Sequence, residues 1–275
     1  MTTDHTQDTA KCQEEAPIGS NRLLQGDYYQ VTVHAPDIVP RVQPGQFVHV
    51  LVPGMGHRLL RRPFSVYDVN LSTGELSIIY KVVGRGTQHL ATLPKGAVLD
   101  LLGPLGVGYS DPPPSIPRVI IAGGYGCAAT FLLAKRSAVP PLVLLGGRTD
   151  GDVLLVDRFR ERGCEVRIAT DDGSVGHAGF VTDLLEQALE QLDSPFVAAC
   201  GPQAMLHTVA RIAAKHCIDA EVSLDHVMCC GVGACFACVV KMNDAGNTGW
   251  KYVRTCIHGP VFKAGSIYWE DEPDA

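Results

Sequence analysis

Five of the ten cysteines in this 275-residue chain fall between positions 229 and 256. Four of them, Cys230, Cys235, Cys238 and Cys256, read C-x4-C-x2-C followed by a distant fourth thiol. That is the plant-type spacing for a [2Fe–2S] cluster held on four thiolates. A compact cluster needs a loop that wraps three sulfurs around it, and Gly231 and Gly233 let the chain bend that tightly and turn N–H groups toward sulfur. Zinc is the competing occupant, but zinc sites more often use paired C-x2-C units, so the x4 extension favours the cluster. Cys229, beside the first ligand, is expected to point elsewhere.

A second constellation lies upstream. Gly124, Gly126 and Ala129 form G-x-G-x-x-A between an apolar run and a helical pattern, where a glycine turn lets pyrophosphate approach the backbone at a helix N-terminus. The same residues also suit a plain strand-to-helix turn. Thr170-Asp-Asp-Gly-Ser174 and Cys200-Gly-Pro202 follow later apolar runs, a placement that suits either turn chemistry or a shared ligand.

A third set combines Arg62, Pro63, Phe64 and Ser65 with Gly84-Arg-Gly-Thr87. Strand alternation puts Arg62 and Phe64 on one face, suited to a phosphate and an adjacent ring system, while the glycine turn offers bare N–H groups. Each alone is more often a solvated surface feature; together, ahead of a nucleotide-type motif, they fit a flavin site.

These sets need elements to carry them. Residues 28–33, 46–52, 76–83 and 97–102 are short β-rich runs punctuated by Gly and Pro, the signature of a small antiparallel barrel. Asp111 to Pro117 holds four prolines and reads as a linker. Beyond it, continuous apolar runs at 118–122, 141–145, 165–169 and 196–199 alternate with helical patterns at 128–136, 156–162, 181–192 and 205–215, which predicts a parallel α/β sheet. The 222–275 segment carries the cysteines and no long helix.

The chain is 46% hydrophobic and 19% charged with a formal charge of −6, and it has no long basic run. This excludes wholesale disorder and argues against nucleic acid and anionic membrane as partners. The N-terminus has no signal-like apolar core, no apolar run is long enough to span a bilayer, and a cytoplasmic location is expected.

The ordered motifs resemble the ferredoxin reductase-like flavoproteins, and within them the iron–sulfur electron-transfer subunits of dihydroorotate dehydrogenase B. The resemblance runs from about residue 20 to 265 and includes Met228-Cys-Cys-Gly-Val-Gly-Ala-Cys-Phe-Ala-Cys-Val239 and Cys256-Ile-His-Gly-Pro-Val-Phe262. It implies a multidomain β plus α/β protein: a polar tail (1–19), an antiparallel FAD-binding β-barrel (20–110), a parallel-sheet NAD-binding α/β domain (111–221) and a small [2Fe–2S] domain (222–275).

By matching motifs, Arg62, Pro63, Phe64 and Ser65 would contact FAD, Ile79, Tyr80 and Lys81 would lie along the flavin, and Gly86 and Thr87 would meet its pyrophosphate. Gly124, Gly126, Asp172, Cys200 and Gly201 would line the path of NAD, and Cys230, Cys235, Cys238 and Cys256 would hold the cluster. The implied activity is an oxidoreductase relay between an FMN-containing catalytic subunit of dihydroorotate dehydrogenase, in a heterotetramer of two of each, and NAD+. No catalytic nucleophile or base is expected.

The sequence departs from the family at Cys127-Ala-Ala129, where Val-Ala-Pro is common, and at Asp225, where Glu is frequent. Arg148 could instead meet the 2′-phosphate of NADP, and Asp150 a ribose hydroxyl. Rival readings are a diaphorase-type subunit of a soluble hydrogenase, sulfite reductase or transhydrogenase, and a zinc-stabilised adaptor. The Cys-Phe-Ala-Cys-Val run favours the dihydroorotate system.

Overall fold

The structure is a computed structural model and describes residues 11–56, 60–244, 246 and 249–270. Its first sheet contains β1 (Cys12–Gln25), β2 (Tyr28–His34), β3 (Phe47–Leu51), β4 (Arg62–Ser65), β5 (Asp68–Asn70), β6 (Glu75–Lys81) and β7 (Val98–Leu105), with α1 (Arg85–Thr92) between the last two. The order is β4-β3-β7-β1-β2-β6-β5, with every pair antiparallel. The β4 end closes on β6 through Phe64 and Tyr80, whose ring centroids are 5.9 Å apart. Val31, Val33, Val48, Val50, Leu76 and Ile78 fill the enclosed barrel core.

Two sequence expectations change here. Residues 12–19, expected in a polar tail, form the first half of β1, whose 12–17 stretch pairs with β7 before a register shift near Gly19 sends 18–25 onto β2. Only Ala16 and Ile18 of that half are buried, so the strand needed little apolar signal. Residues 1–10 lie outside the described residues. Arg85 to Thr87, expected in an open turn, begin helix α1.

After the proline segment come β8 (Arg118–Gly123), α2 (Gly126–Arg136), β9 (Leu142–Gly147), α3 (Val156–Arg160), β10 (Glu165–Thr170), β11 (His177–Ala178), α4 (Val181–Leu189), β12 (Phe196–Cys200), α5 (Gln203–Lys215) and β13 (Ala220–Ser223). The cysteine-rich end adds β14 (Val239–Asn243), β15 (Trp250–Arg254), α6 (Thr255–His258) and β16 (Val261–Lys263). The second sheet runs β11-β10-β9-β8-β12-β13-β16. All its pairs are parallel except that of β16, which lies antiparallel to β13. The expected boundary at 221/222 therefore falls inside β13, and the C-terminal segment is stitched into the α/β sheet.

Barrel and α/β sheet are held together by specific bonds. The buried Tyr109 hydroxyl donates to Ala199 O at 2.9 Å, Lys135 Nζ reaches Asp68 Oδ1 at 2.6 Å, and Lys81 Nζ reaches Asp152 Oδ1 at 3.3 Å. Among the described residues, no helix is long and apolar enough to cross a membrane.

Candidate redox centre

The cysteine loop departs from β13 and folds over the outer face of β3 and β7. Cys238 and Cys256 are buried there with Phe47 and Leu105, whereas Cys235 is exposed. Gly231 and Gly233 hold φ of +71° and +85°, a region that side chains with a Cβ rarely enter. That backbone aims amides at sulfur: Ala234 N and Cys235 N lie 3.3 and 3.4 Å from Cys230 Sγ. Arg254 braces the loop by donating to Gly233 O at 2.6 Å and covering the Phe236 ring at 4.6 Å. Thr255 N and Oγ1 both donate to Cys238 O, at 2.9 and 3.1 Å.

Burial pushes the Cys230 thiol up, but amide donors from Val232, Cys235 and Ala234 outweigh it and bring the group down to about 6. Cys238 is likewise lowered against burial by the Cys256 amide, while burial and the neighbouring Cys238 thiol push Cys256 up to about 12. The side-chain influence of one thiol on another is felt most strongly within two pairs of the four, Cys230 with Cys235 and Cys238 with Cys256. Among the described residues, no three His, Cys, Asp or Glu side chains converge to hold a single ion. With Cys230 and Cys235 on the loop and Cys238 beside Cys256 of α6, the donor set offers two thiols to each iron of a two-iron unit. Cys229, expected to point elsewhere, instead has its thiol against Cys235.

Sequence reasoning missed His49. It is fully buried on β3, and among the described residues neither ring nitrogen has a hydrogen-bond partner. Burial, with the Arg61 charge second, lowers its pKa to about 4, so the ring is neutral. An unsatisfied buried polar group costs about 1–3 kcal/mol. The available signal was a lone polar ring inside the apolar run Phe47 to Val52.

On the barrel, Arg62 and Phe64 pair with Val50 and Val48, which puts them on one face, with Pro63 and Ser65 on the other. A Cβ on Gly86 would stand 2.1 Å from Arg62 Nε, so only a bare glycine lets the guanidinium lie on the first turn of α1. A guanidinium beside helix N-terminal amides is a donor set that fits a diphosphate. The Thr87 hydroxyl is occupied: it accepts from Val83 N and Gly84 N at 3.0 and 3.2 Å and donates to Gly84 O at 3.0 Å.

The three residues expected along a flavin divide between faces. Tyr80 turns into the barrel core, donating to Asn21 Oδ1 at 3.1 Å, and burial raises its pKa. Ile79 and Lys81 face the α/β sheet, where Lys81 Nζ meets Tyr28 OH and Asp152 Oδ1, each at 3.3 Å.

In the α/β sheet, Gly124, Gly126, Cys200 and Gly201 gather where β8 and β12 end side by side. A Cβ on Gly126 would lie 2.2 Å from Cys200 O, which is why this turn needs glycine. Tyr125 donates its hydroxyl to Asp225 beside this crevice. Burial and the Asp225 charge push the Cys200 thiol up to about 12. Asp172 is not part of this group. It follows β10, two strands from β8, so about 10 Å of sheet separates them. Its exposed carboxylate, held below the usual range by Ser174, accepts from Ser174 N at 2.9 Å. The Arg148 side chain is 77% exposed at the end of β9, with Nε 3.5 Å from Asp152 Oδ2.

Residues 25–109 match the oxidoreductase FAD-binding domain family, and residues 225–268 match the iron–sulfur cluster binding domain of dihydroorotate dehydrogenase B. The electron transfer subunit of dihydroorotate dehydrogenase B (NAD(+)) from Desulforamulus reducens is 37% identical over 259 residues, covering 93% of this chain and 98% of that one. Its counterpart from Fusobacterium nucleatum is 32% identical over 261 residues, covering 92% and 98%. Among solved structures, a chain of the NADH-dependent reduced ferredoxin-NADP oxidoreductase superposes with a TM-score of 0.80 at 27% identity, covering 93% of this chain and 90% of that one. With a flavin-type barrel, a parallel α/β sheet and a four-thiol loop in this order, the chain belongs to the family of dihydroorotate dehydrogenase B electron transfer subunits.

Proposed function

We propose that this protein is the electron-transfer subunit of an NAD-dependent dihydroorotate dehydrogenase in the cytoplasm, working beside an FMN-containing catalytic subunit in a complex of two copies of each. When bound, FAD handles electrons singly or in pairs and a [2Fe–2S] cluster handles them singly, so together they join a one-electron donor to hydride exchange with NAD. The observation that carries the reading is the packing of Cys238 and Cys256 directly on Phe47 and Leu105 of the barrel.

Each part of the chain has its own task. Cys230, Cys235, Cys238 and Cys256 hold the cluster, with amides of the glycine loop stabilising sulfur charge. Arg62 and the first turn of α1 at Gly86 neutralise the flavin diphosphate, with Phe64 beside the ring system on the same face and Pro63 and Ser65 on the opposite face of β4. Thr87 ties down that turn, and Ile79, Tyr80 and Lys81 form the barrel wall. Gly124, Gly126, Cys200 and Gly201 admit the nicotinamide half of NAD, and Asp172 faces its far end. The functional division follows: flavin barrel to about residue 110, nucleotide domain to β13, cluster segment beyond. Exposed Cys235, with Phe236 61% and Val227 76% exposed on the same loop, marks the docking side for the catalytic subunit.

The test is reconstitution with the neighbouring catalytic subunit. Dihydroorotate-dependent reduction of NAD+, faster than that of NADP+, with two copies of each chain by mass, is expected. A complex that instead passes electrons from hydrogen or sulfite would overturn the assignment.

A further inference from the structure

The strongest unexplained feature is a fully buried imidazole with no hydrogen-bond partner among the described residues. His49 lies on β3 opposite Pro63 of β4 and Leu102 of β7, so its ring projects from the barrel's outer face. That face is the one the cysteine loop covers. A Cβ added to Gly231 would stand 2.9 Å from both Cε1 and Nδ1 of His49, so the ring lies flat against the residue that follows Cys230. The Phe47 ring meets it edge-on at 5.7 Å. Its position between Pro63 and Gly231 puts it between the Arg62–Ser65 segment and the four-thiol loop.

A neutral imidazole carries one N–H donor and one acceptor. Native structures satisfy nearly all buried polar groups, and an orphan one calls for a partner that the protein atoms alone do not supply. A leucine or phenylalanine would fill the same apolar slot with no such need. The loop already turns the Ala234 and Cys235 amides toward Cys230 from one side. On the barrel side the Arg61 charge lies near the ring, but its guanidinium is committed to Asp100, with Nη2 2.6 Å from Oδ2.

We propose that His49 is a positioning residue of the iron–sulfur site, donating its ring N–H from the barrel to a sulfur of the cluster and thereby setting the cluster's reduction potential. The inference rests on the cluster reading of the four cysteines. An N–H directed at sulfur stabilises the added negative charge of the reduced state more than that of the oxidised state. Removing it makes the cluster harder to reduce. The adjoining strand β4 makes this the contact through which the flavin segment and the cluster loop are held in register.

The experiment uses purified holoprotein carrying FAD and cluster, with His49→Leu and His49→Gln compared in an EPR-monitored redox titration. Iron, acid-labile sulfide and FAD are measured on the same samples. In His49→Leu the ratio of reduced to oxidised cluster at the wild-type midpoint is expected to fall about tenfold, which is about 59 mV for one electron. His49→Gln, which keeps an N–H donor, is expected to recover most of that loss. A leucine variant with full iron and sulfide and an unchanged midpoint overturns the proposal, as does a glutamine variant as low as leucine.

A second measurement needs no variant at position 49. Wild-type protein labelled with 15N-histidine is expected to show a ring-nitrogen hyperfine coupling to the reduced cluster that survives His258→Asn and His226→Asn. Its absence overturns the proposal. Wild-type protein that lacks iron and sulfide refutes the cluster reading itself, an outcome distinct from failure of the His49 role.

Discussion

Cys200 and Cys230 are each followed by glycine, yet the fold gives them opposite chemistry. Cys200 ends a buried parallel strand, where burial and the charge of Asp225 push its thiol up to about 12. Cys230 enters a loop of positive-φ glycines whose amides converge on its sulfur and bring it down to about 6. Buried Cys127, raised by burial and then by Cys200, belongs with the first kind. For these two cysteines, backbone direction and burial set the thiol's chemistry, and the glycine that follows each does not.

The comparison is broken most decisively at the loop. Cys235→Ser should reduce electron transfer from the catalytic subunit to background while FAD stays bound, measured by NAD+ reduction in the assembled complex and by flavin absorbance. Unchanged turnover would remove Cys235 from the ligand set. Next in size is thiol reactivity. Raising Cys200 from an ordinary 9.0 to about 12 lowers its thiolate fraction about a thousandfold at pH 8. Alkylation followed by mass spectrometry should label exposed Cys217 and leave Cys200 untouched, with the Cys200 rate climbing about tenfold per pH unit above 8. Equal rates at pH 8 would erase the contrast.

Arg62→Ala tests the flavin side. Charge-assisted hydrogen bonds contribute about 1.5–3 kcal/mol, so FAD affinity should fall about ten- to a hundredfold in an equilibrium titration, with iron content unchanged. The smallest effect is expected from Lys81→Met. It removes the half-exposed bridge to Asp152 and should cost less than about 1 kcal/mol in a denaturation curve. A larger loss would show that this bridge, and not the Tyr109 contact, holds barrel to sheet.

The sequence was most legible where one local pattern sufficed. The cysteine spacing and the continuous apolar strands 118–122 and 196–199 needed no distant partner to be read. It was least legible where the determinant lies far along the chain. Residues 12–17 become a strand because β7, some 85 positions on, supplies the pairing. Gly84-Arg-Gly contains poor helix formers, yet starts α1 because the Thr87 hydroxyl caps the turn. The partnership of Tyr28 with Asp152 and the approach of His49 to Gly231 cross more than a hundred residues and leave no motif. Asp172 shows the converse: its motif was visible, but its two-strand separation from Gly124 was not.

The central claim is that the four-thiol loop holds a [2Fe–2S] cluster against a flavin barrel. Metal, acid-labile sulfide and flavin analysis of protein purified without oxygen tests it directly, with EPR after reduction on the same sample. The account predicts about two irons, two sulfides and one FAD per chain, with a reduced-cluster signal. Stoichiometric zinc with no labile sulfide would contradict it.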